Sequence, residues 1–253
     1  MIYKRVAARL KAQDWVAITI ELAIVIVGVF VGTQVSNWNA ARLERESNAR
    51  VLRNLRPEIA EMVAGFGTLY AYYDTSNNYA RTALAGWRRD PHVSDRDFVV
   101  GAFQASQIYY LGQNNDTWSQ IYGSDRLRTM DDGPMRKDLS VLMTADYSAL
   151  DHDLFSNYRQ HAREIIPADV QDAIRGQCGD HPVAGVVSGL FLPPTCDLHY
   201  PGPRIAAAAT ALRAHPGLVD ELNWHLAAIA SYRSNIVAVD SVAQDLLARL
   251  RKH

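Results

Sequence analysis

An uninterrupted apolar block near the N-terminus constrains the fold of this chain more than any other feature. The block covers residues 15–35, and its polar side chains are Thr19, Glu21, Thr33 and Gln34. As an α-helix, its twenty-one residues span roughly 31 Å, which matches the hydrocarbon thickness of a bilayer. The block therefore predicts a helix that can cross a membrane.

Two other kinds of segment have a similar composition, namely a cleaved signal peptide and the buried core helix of a soluble domain. A signal peptide has a shorter apolar centre and a cleavage site with small residues. Here a charged, helix-forming stretch follows the block over residues 37–55. Length and flanks together favour an uncleaved transmembrane anchor over residues 15–35, with the lipid bilayer as its partner.

The flanking charges predict the orientation of this anchor. The side with more basic residues is normally retained in the cytoplasm. Four basic residues precede the block and three follow it closely: Lys4, Arg5, Arg9 and Lys11 before it, and Arg42, Arg45 and Arg50 after it. We expect residues 1–14 to be cytoplasmic and residues 36–253 to lie across the membrane.

Two features inside the block bear on its partners. Gly28 and Gly32 form a G-x-x-x-G pattern, which lets a second helix approach closely, either in another protein or in a second copy of this chain. Glu21 lies about 9 Å along the helix from Trp15. At that shallow depth its carboxylate can reach the membrane surface, and a proton-relay role is the alternative.

The rest of the chain has the composition of a globular, mostly α domain. Hydrophobic residues make up 48% of the chain, and the formal net charge is -1, which excludes a disordered chain and a polybasic nucleic-acid binder. Apolar residues recur at 3/4 spacing over residues 52–73 and again over residues 222–250. These two seams predict long helices that pair within one helical bundle.

Turn-forming residues predict where the helices begin and end. Pro57 suggests a kink or restart, and residues 74–77 suggest a turn or an N-cap before a short helix. Ser94 and Asp95 suggest the cap of the next helix. Further helices are expected over residues 117–122 and 135–166.

Residues 176–203 differ from the rest of the domain because they are rich in Gly and Pro and lack a helical period. This loop-rich insert predicts at most a short strand around residues 183–192. An Ala-rich helix over residues 205–212 follows it.

The insert carries both cysteines of the chain, in a repeated C-x-x-H pattern. Cys178, His181, Cys196 and His199 could close a tetrahedral zinc site. A disulfide between Cys178 and Cys196 is the favoured alternative on the far side of a membrane, where thiols are oxidised, and it would stabilise the fold by about 3 kcal/mol. Free thiols are the third alternative.

Two stretches resemble a bacterial family of uncharacterised single-pass membrane proteins. The first stretch closes the anchor with the signature Gln-x-x-Asn-Trp-Asn-x-x-Arg, which falls on Gln34, Asn37, Trp38, Asn39 and Arg42. The second stretch is helical and lies further along the chain, where the matching residues are Trp118, Ile121, Leu127, Met130, Met135, Arg136, Leu139 and Tyr147. The resemblance implies a helical domain anchored in the inner membrane, and it brings no catalytic residues. Trp15 and Trp38 suit the two membrane boundaries. The domain is then expected in the periplasm.

No sequence motif points to a particular reaction. A P-loop, a dinucleotide-binding glycine motif and a nucleophile elbow are all missing from the sequence, and His225 lies on an apolar seam, where a core role is expected. These observations favour a non-enzymatic interaction or sensory module without a cofactor. The alternative is an anchored hydrolase or metal-dependent enzyme with its site near residues 176–203.

Overall fold

The computed structural model describes residues 15–109, 133–144, 155–187 and 189–251. Within these ranges the protein has seven helices and one pair of two-residue strands, so the mostly α class predicted from the sequence is confirmed. Contacts divide the chain into two units, Met1–Val51 and Leu52–His253, and each is described by itself.

The first unit, where described, is the N-terminal part of helix α1 (Trp15–Trp87). Residues 19–46 are exposed around the whole helix. The apolar stretch reaches a mean hydropathy of 1.8, and none of it is buried. Among the described residues this is the one helix that is long and apolar enough to cross a membrane.

In the second unit, the C-terminal part of α1 contributes the predicted apolar seam to the core. Its fully buried members are Leu55, Ile59, Phe66, Leu69 and Tyr73. The restart expected at Pro57 is wrong, because α1 runs through this residue. Proline removes one backbone hydrogen bond from a helix, and here the helix continues with Leu55 and Ile59 buried two residues to either side.

The predicted turn or N-cap at residues 74–77 is also wrong, since these residues lie inside α1. Ser76 is buried, and its hydroxyl donates to the backbone carbonyl of Gln104 at 3.2 Å. Asp74 pairs with Arg233 at 2.8 Å. These polar side chains bond to other elements instead of capping a helix, which the local sequence alone does not reveal.

Helix α2 (Asp95–Gln104) begins as predicted. Ser94 is its N-cap, and Ser94 and Asp97 form a reciprocal capping box. Such a box satisfies backbone N–H groups that the first turn of a helix leaves unpaired. Further along the helix, Phe98 and Phe103 are buried and pack α2 against the core.

The single helix expected over residues 135–166 is wrong. The structure has α3 (Gly133–Thr144) and α4 (Asn157–Ile165), and Ser156 caps the start of α4 in an extended conformation. Helix α5 (Ala168–Cys178) follows directly after Pro167. The helix expected at residues 117–122 lies outside the described residues, as do Trp118, Ile121, Leu127, Met130 and Tyr147 of the family resemblance.

The insert is mostly irregular and carries a short strand in the expected region, as the sequence predicts. Strand β1 (His181–Pro182) pairs antiparallel with β2 (Leu190–Phe191), and residues 183–187 between them are irregular. Gly185 turns the chain there with a positive φ of 78°. Residues 176–178 belong to α5, so the irregular segment is shorter than predicted.

Two C-terminal helices complete the bundle, α6 (Gly202–Arg213) and α7 (Leu218–Leu250). Helix α7 packs against α3 and α4, and α6 packs against α2. The predicted pairing of the two long seams is present in the second unit, where the rings of Tyr73 and Tyr232 lie 6.1 Å apart. The seam of α7 includes His225, which is buried as the sequence predicts.

Candidate ligand-binding cavity beside the disulfide

Cys178 and Cys196 are bonded to each other, as the sequence predicts, with their Cα atoms 5.4 Å apart. Bonded sulfurs offer no thiolate, so the zinc alternative loses two of its four ligands. His181, in strand β1, and His199, in a loop, are both exposed. In the part of the chain that the structure describes, no group of three His, Cys, Asp or Glu side chains could hold a metal ion.

The bond holds the ends of residues 179–195, here called the disulfide loop. A second link lies beside it, because the amide side chain of Gln177 bonds twice to the backbone of His199. It accepts from the N–H at 2.8 Å and donates to the carbonyl at 3.2 Å. The disulfide loop therefore starts and ends against α5.

One face of the disulfide loop forms a wall of a solvent-open cavity of about 520 Å³, here called the loop cavity. Its lining comes from three separate segments of the chain: Gln107, Ile108 and Tyr109; Phe155 and Arg159; and Asp180, Pro182, Val187, Gly189 and Leu190. Half of these residues belong to the disulfide loop. The volume lies in the range of small-molecule sites in proteins.

Helix α1 holds two of these wall segments in place. The hydroxyl of Tyr73 accepts from the backbone N–H of Tyr109 at 3.0 Å and donates to its carbonyl at 2.8 Å. Glu61 accepts from the backbone N–H of Val187 at 3.2 Å, and Tyr79 donates to the carbonyl of Pro193 at 2.8 Å. A side chain on a long packed helix thus fixes each loop segment.

Three arginines on α4 and α5 lie close together, and one of them, Arg159, lines the loop cavity. The guanidinium groups of Arg163 and Arg175 both lie over the ring of Phe103, at 4.8 and 5.3 Å from its centroid. Burial, followed by repulsion from Arg159 and Arg175, lowers the pKa of Arg163 to about 10. Burial also lowers the pKa of Arg159. The lowered pKa of Arg163 still leaves that group cationic at neutral pH.

The partners of these arginines are mostly neutral. Arg163 donates to the hydroxyl of Ser106 at 3.0 Å and to the side-chain carbonyl of Gln107 at 2.7 Å. Arg159 donates to the backbone carbonyl of Ser106. Arg175 differs from them, because it also pairs with the carboxylate of Asp172 at 2.8 Å.

The cavity also has one carboxylate in its lining, that of Asp180. It accepts a hydrogen bond of 3.1 Å from the hydroxyl of Tyr72, whose pKa is raised well above its ordinary value by burial and then by this negative charge. No ion pair within 4.0 Å joins Asp180 to Arg159, although the structure describes both residues. The cavity therefore presents a cation and an anion that do not neutralise each other directly.

A second cavity of about 500 Å³ lies between α4 and the start of α7. Nδ1 of His161 is 2.9 Å from both carboxylate oxygens of Glu221. Glu164 and His215 also line it. The contact joins two helices at the surface.

The site residues predicted in the first unit are exposed along α1. Added Cβ atoms at Gly28 and Gly32 would meet no described atom of the chain within 4 Å. Arg42 pairs with Glu46 at 3.0 Å. The remaining boundary residues are exposed on the same helix: Trp15, Gln34, Asn37, Trp38 and Asn39. Glu21 is exposed as well.

The sequence reasoning missed Arg159 and Asp180. One signal was available, since Arg159 and Arg163 are four residues apart in a helix and therefore share a face. Like charges at this spacing destabilise a helix, so this pair was a feature that the sequence could have singled out. Asp180 had no comparable signal.

Searches of protein-family models, of curated proteins and of solved structures found no match to this chain.

Proposed function

We propose that this chain is a membrane-anchored sensory module that binds a small molecule in its helical domain. Residues 15–35 would cross the inner membrane of a bacterium, with residues 1–14 in the cytoplasm and residues 36–253 in the periplasm. The apolar, fully exposed surface of this stretch supports the anchor, because such a surface is unfavourable in water. The basic residues before the block support the orientation.

The disulfide is a further argument for a periplasmic domain. Disulfides persist in oxidising compartments and are rare in the cytosol. The Cys178–Cys196 bond joins two parts of the second unit. A periplasmic location accounts for that bond without a special redox role.

The orientation is tested by fusing alkaline phosphatase after His253, since this enzyme becomes active in the periplasm. We expect an active fusion. A matched fusion after Asp14, before the apolar block, should be inactive. A full-length, stable and inactive fusion at His253 would rule out the proposed orientation.

The observation that carries the sensory function is the loop cavity itself. Its walls are fixed by buried tyrosines and a disulfide, yet its two charged groups are not paired with each other. Small-molecule sites are mostly apolar cavities that contain a few polar groups in fixed positions. Fixed walls with charged groups that can pair with a ligand are sufficient for a binding module, which requires no catalytic group.

The binding function is tested with the full chain in detergent micelles. Its melting temperature is measured against a set of small metabolites that includes carboxylates, amines, phosphates and neutral sugars. At least one class should raise it. Ile108→Trp, which fills the cavity, should abolish the shift, whereas Val237→Trp at an exposed position of α7 should retain it. Failure of every compound, or equal shifts in both variants, would refute a ligand-binding role.

The anchor is proposed to pair with another transmembrane helix, in a second copy or in a different protein. Gly28 and Gly32 leave a face of the helix without any side chain, and no described part of the chain covers it. Association of helices in lipid depends on such close packing. Pairing of anchors would give the module a route for assembly in the membrane.

A further inference from the structure

The chemistry of the loop cavity narrows the class of ligand. Arg159 lines the cavity and, among the described residues, makes one side-chain hydrogen bond, to the carbonyl of Ser106. A guanidinium carries five N–H donors in a planar fork. Most of these donors are therefore available to a ligand.

The charges around Arg159 favour an anion. The positive charge of Arg175 repels that of Arg159, and the charges of Arg159 and Arg175 both repel that of Arg163. Two carboxylates act on this cluster, that of Asp172, which pairs with Arg175, and that of Asp180, which bonds to Tyr72. Among the described residues no carboxylate lies within 4.0 Å of the Arg159 guanidinium, so a negatively charged group of a ligand can pair with it.

The walls indicate that the ligand has an apolar part. Ile108, Tyr109 and Leu190 line the cavity, and Tyr109 is buried. An inorganic anion would leave these apolar surfaces in contact with water. A carboxylate matches the fork of a guanidinium with two parallel hydrogen bonds, and its organic body can cover the apolar wall.

We propose that the loop cavity binds a small organic monocarboxylate with an apolar body, the carboxylate on Arg159 and a donor group of the ligand on Asp180. This inference rests on the proposed binding function and specifies its ligand. The ligand donor can be an ammonium or a hydroxyl, because an ionised carboxylate such as that of Asp180 only accepts hydrogen bonds.

Isothermal titration of the full chain in micelles tests the class with four probes. 3-Phenylpropionate has a carboxylate and an apolar body, L-phenylalanine adds an ammonium group, phenethylamine lacks the carboxylate, and inorganic phosphate lacks the body. We expect the first two to bind and L-phenylalanine to bind more tightly. We expect phenethylamine and phosphate to bind at least tenfold more weakly.

Two variants assign the charged groups. Arg159→Gln should lower the affinity for 3-phenylpropionate at least tenfold. Arg81→Gln, at an exposed arginine bonded to Asn78, should leave this affinity unchanged. Asp180→Asn should lower the affinity for L-phenylalanine and leave the affinity for 3-phenylpropionate unchanged. The comparison of the four probes on the unmodified protein stands even where Arg159→Gln fails to fold.

The outcomes separate this inference from the function on which it rests. Equal binding of phenethylamine and 3-phenylpropionate, or tighter binding of phosphate, would show that the cavity does not recognise an organic carboxylate. Unchanged affinity in folded Arg159→Gln overturns the role of that residue. If other metabolites bind in a way that Ile108→Trp abolishes while no carboxylate binds, the ligand class is wrong and the binding function stands. If nothing binds, both are wrong.

Discussion

The side-chain nitrogen of Gln104 lies 2.6 Å from the backbone carbonyl oxygen of Cys178 and donates a hydrogen bond to it. Gln104 is fully buried at the end of α2, and its own backbone carbonyl accepts from Ser76 of α1. Its side-chain carbonyl accepts from Gln107 at 3.3 Å. Through its backbone carbonyl and its side-chain amide, Gln104 thus links α1 and α2 to the end of α5, where the disulfide begins.

Replacing Gln104 by Met should lower the free energy of unfolding by about 2 kcal/mol, because the buried carbonyl of Cys178 loses its donor. Urea unfolding of the full chain in micelles, followed by tryptophan fluorescence, measures this. Gln160→Met, at an exposed glutamine whose side chain bonds to Glu164, is the matched control and should have little effect. Equal stability of the two variants would show that the buried amide contributes nothing.

Removing the disulfide with Cys178→Ser and Cys196→Ser together should lower the free energy of unfolding by about 3 kcal/mol, because a cross-link restricts the unfolded chain. The double variant should also bind cavity ligands more weakly, since the disulfide loop supplies half of the lining. Reduction of the unmodified protein should reproduce both effects. Two alkylated cysteines in non-reduced, denatured protein would contradict the bond.

Acid should destabilise the fold through His225. Burial, followed by the positive charge of Arg159, lowers its pKa from 6.5 to about 4, while the nearby backbone of Ala105 acts in the opposite direction. The unfolded chain therefore takes up a proton at a higher pH than the folded one. The stability that the neutral ring contributes is complete above the unfolded pKa and is lost as the pH falls from 6.5 towards 4.

This loss should amount to about 2 kcal/mol between pH 7 and pH 5, from the linkage between pKa and unfolding. Urea unfolding at the two pH values measures it. His225→Phe keeps a ring beside Tyr158 and should reduce the difference, whereas His215→Phe at an exposed position should not. An unchanged pH dependence in His225→Phe would assign the acid sensitivity to other groups.

Substitution of Gly28 or Gly32 by Ile should reduce crosslinking between anchors in the membrane, because the added side chain keeps a second helix at a distance. Phe30→Ile is the control, since residue 30 lies on the opposite side of the helix at 100° per residue. Crosslinking of membrane-embedded protein, analysed on denaturing gels, measures the effect. If both glycine variants crosslink like the unmodified protein, this face is not an interface.

Sequence patterns were sufficient where a single helix determines the outcome. The seams of α1 and α7 follow from apolar spacing, and the start of α2 follows from Ser94 and Asp97, because both signals act within a few residues. The disulfide followed from the presence of two cysteines. These features need no knowledge of distant contacts.

Tertiary contacts decided the features that the sequence did not predict. Residues 74–77 resemble a helix cap, but Asp74 and Ser76 have partners more than twenty residues away, on α7 and α2. Pro57 resembles a helix break, but α1 continues through it, and Leu55 and Ile59 are buried two residues to either side. The loop cavity combines Tyr109, Arg159 and Asp180 from three segments, and no local pattern relates such positions.

The residues that line the cavity from the disulfide loop differ from those of α1 that hold the surrounding backbone, and this difference has an evolutionary consequence. Pro182, Val187 and Leu190 lie between the two cysteines and outside every apolar seam, whereas Tyr73 and Tyr79 hold the surrounding backbone from α1. Changes in the first group can alter the shape of the cavity at little cost to the helical core, as loops on a rigid scaffold commonly do. In descendants of this chain, the shape of the cavity, and with it the ligand that we propose it binds, can therefore change between the cysteines while the bundle stays the same.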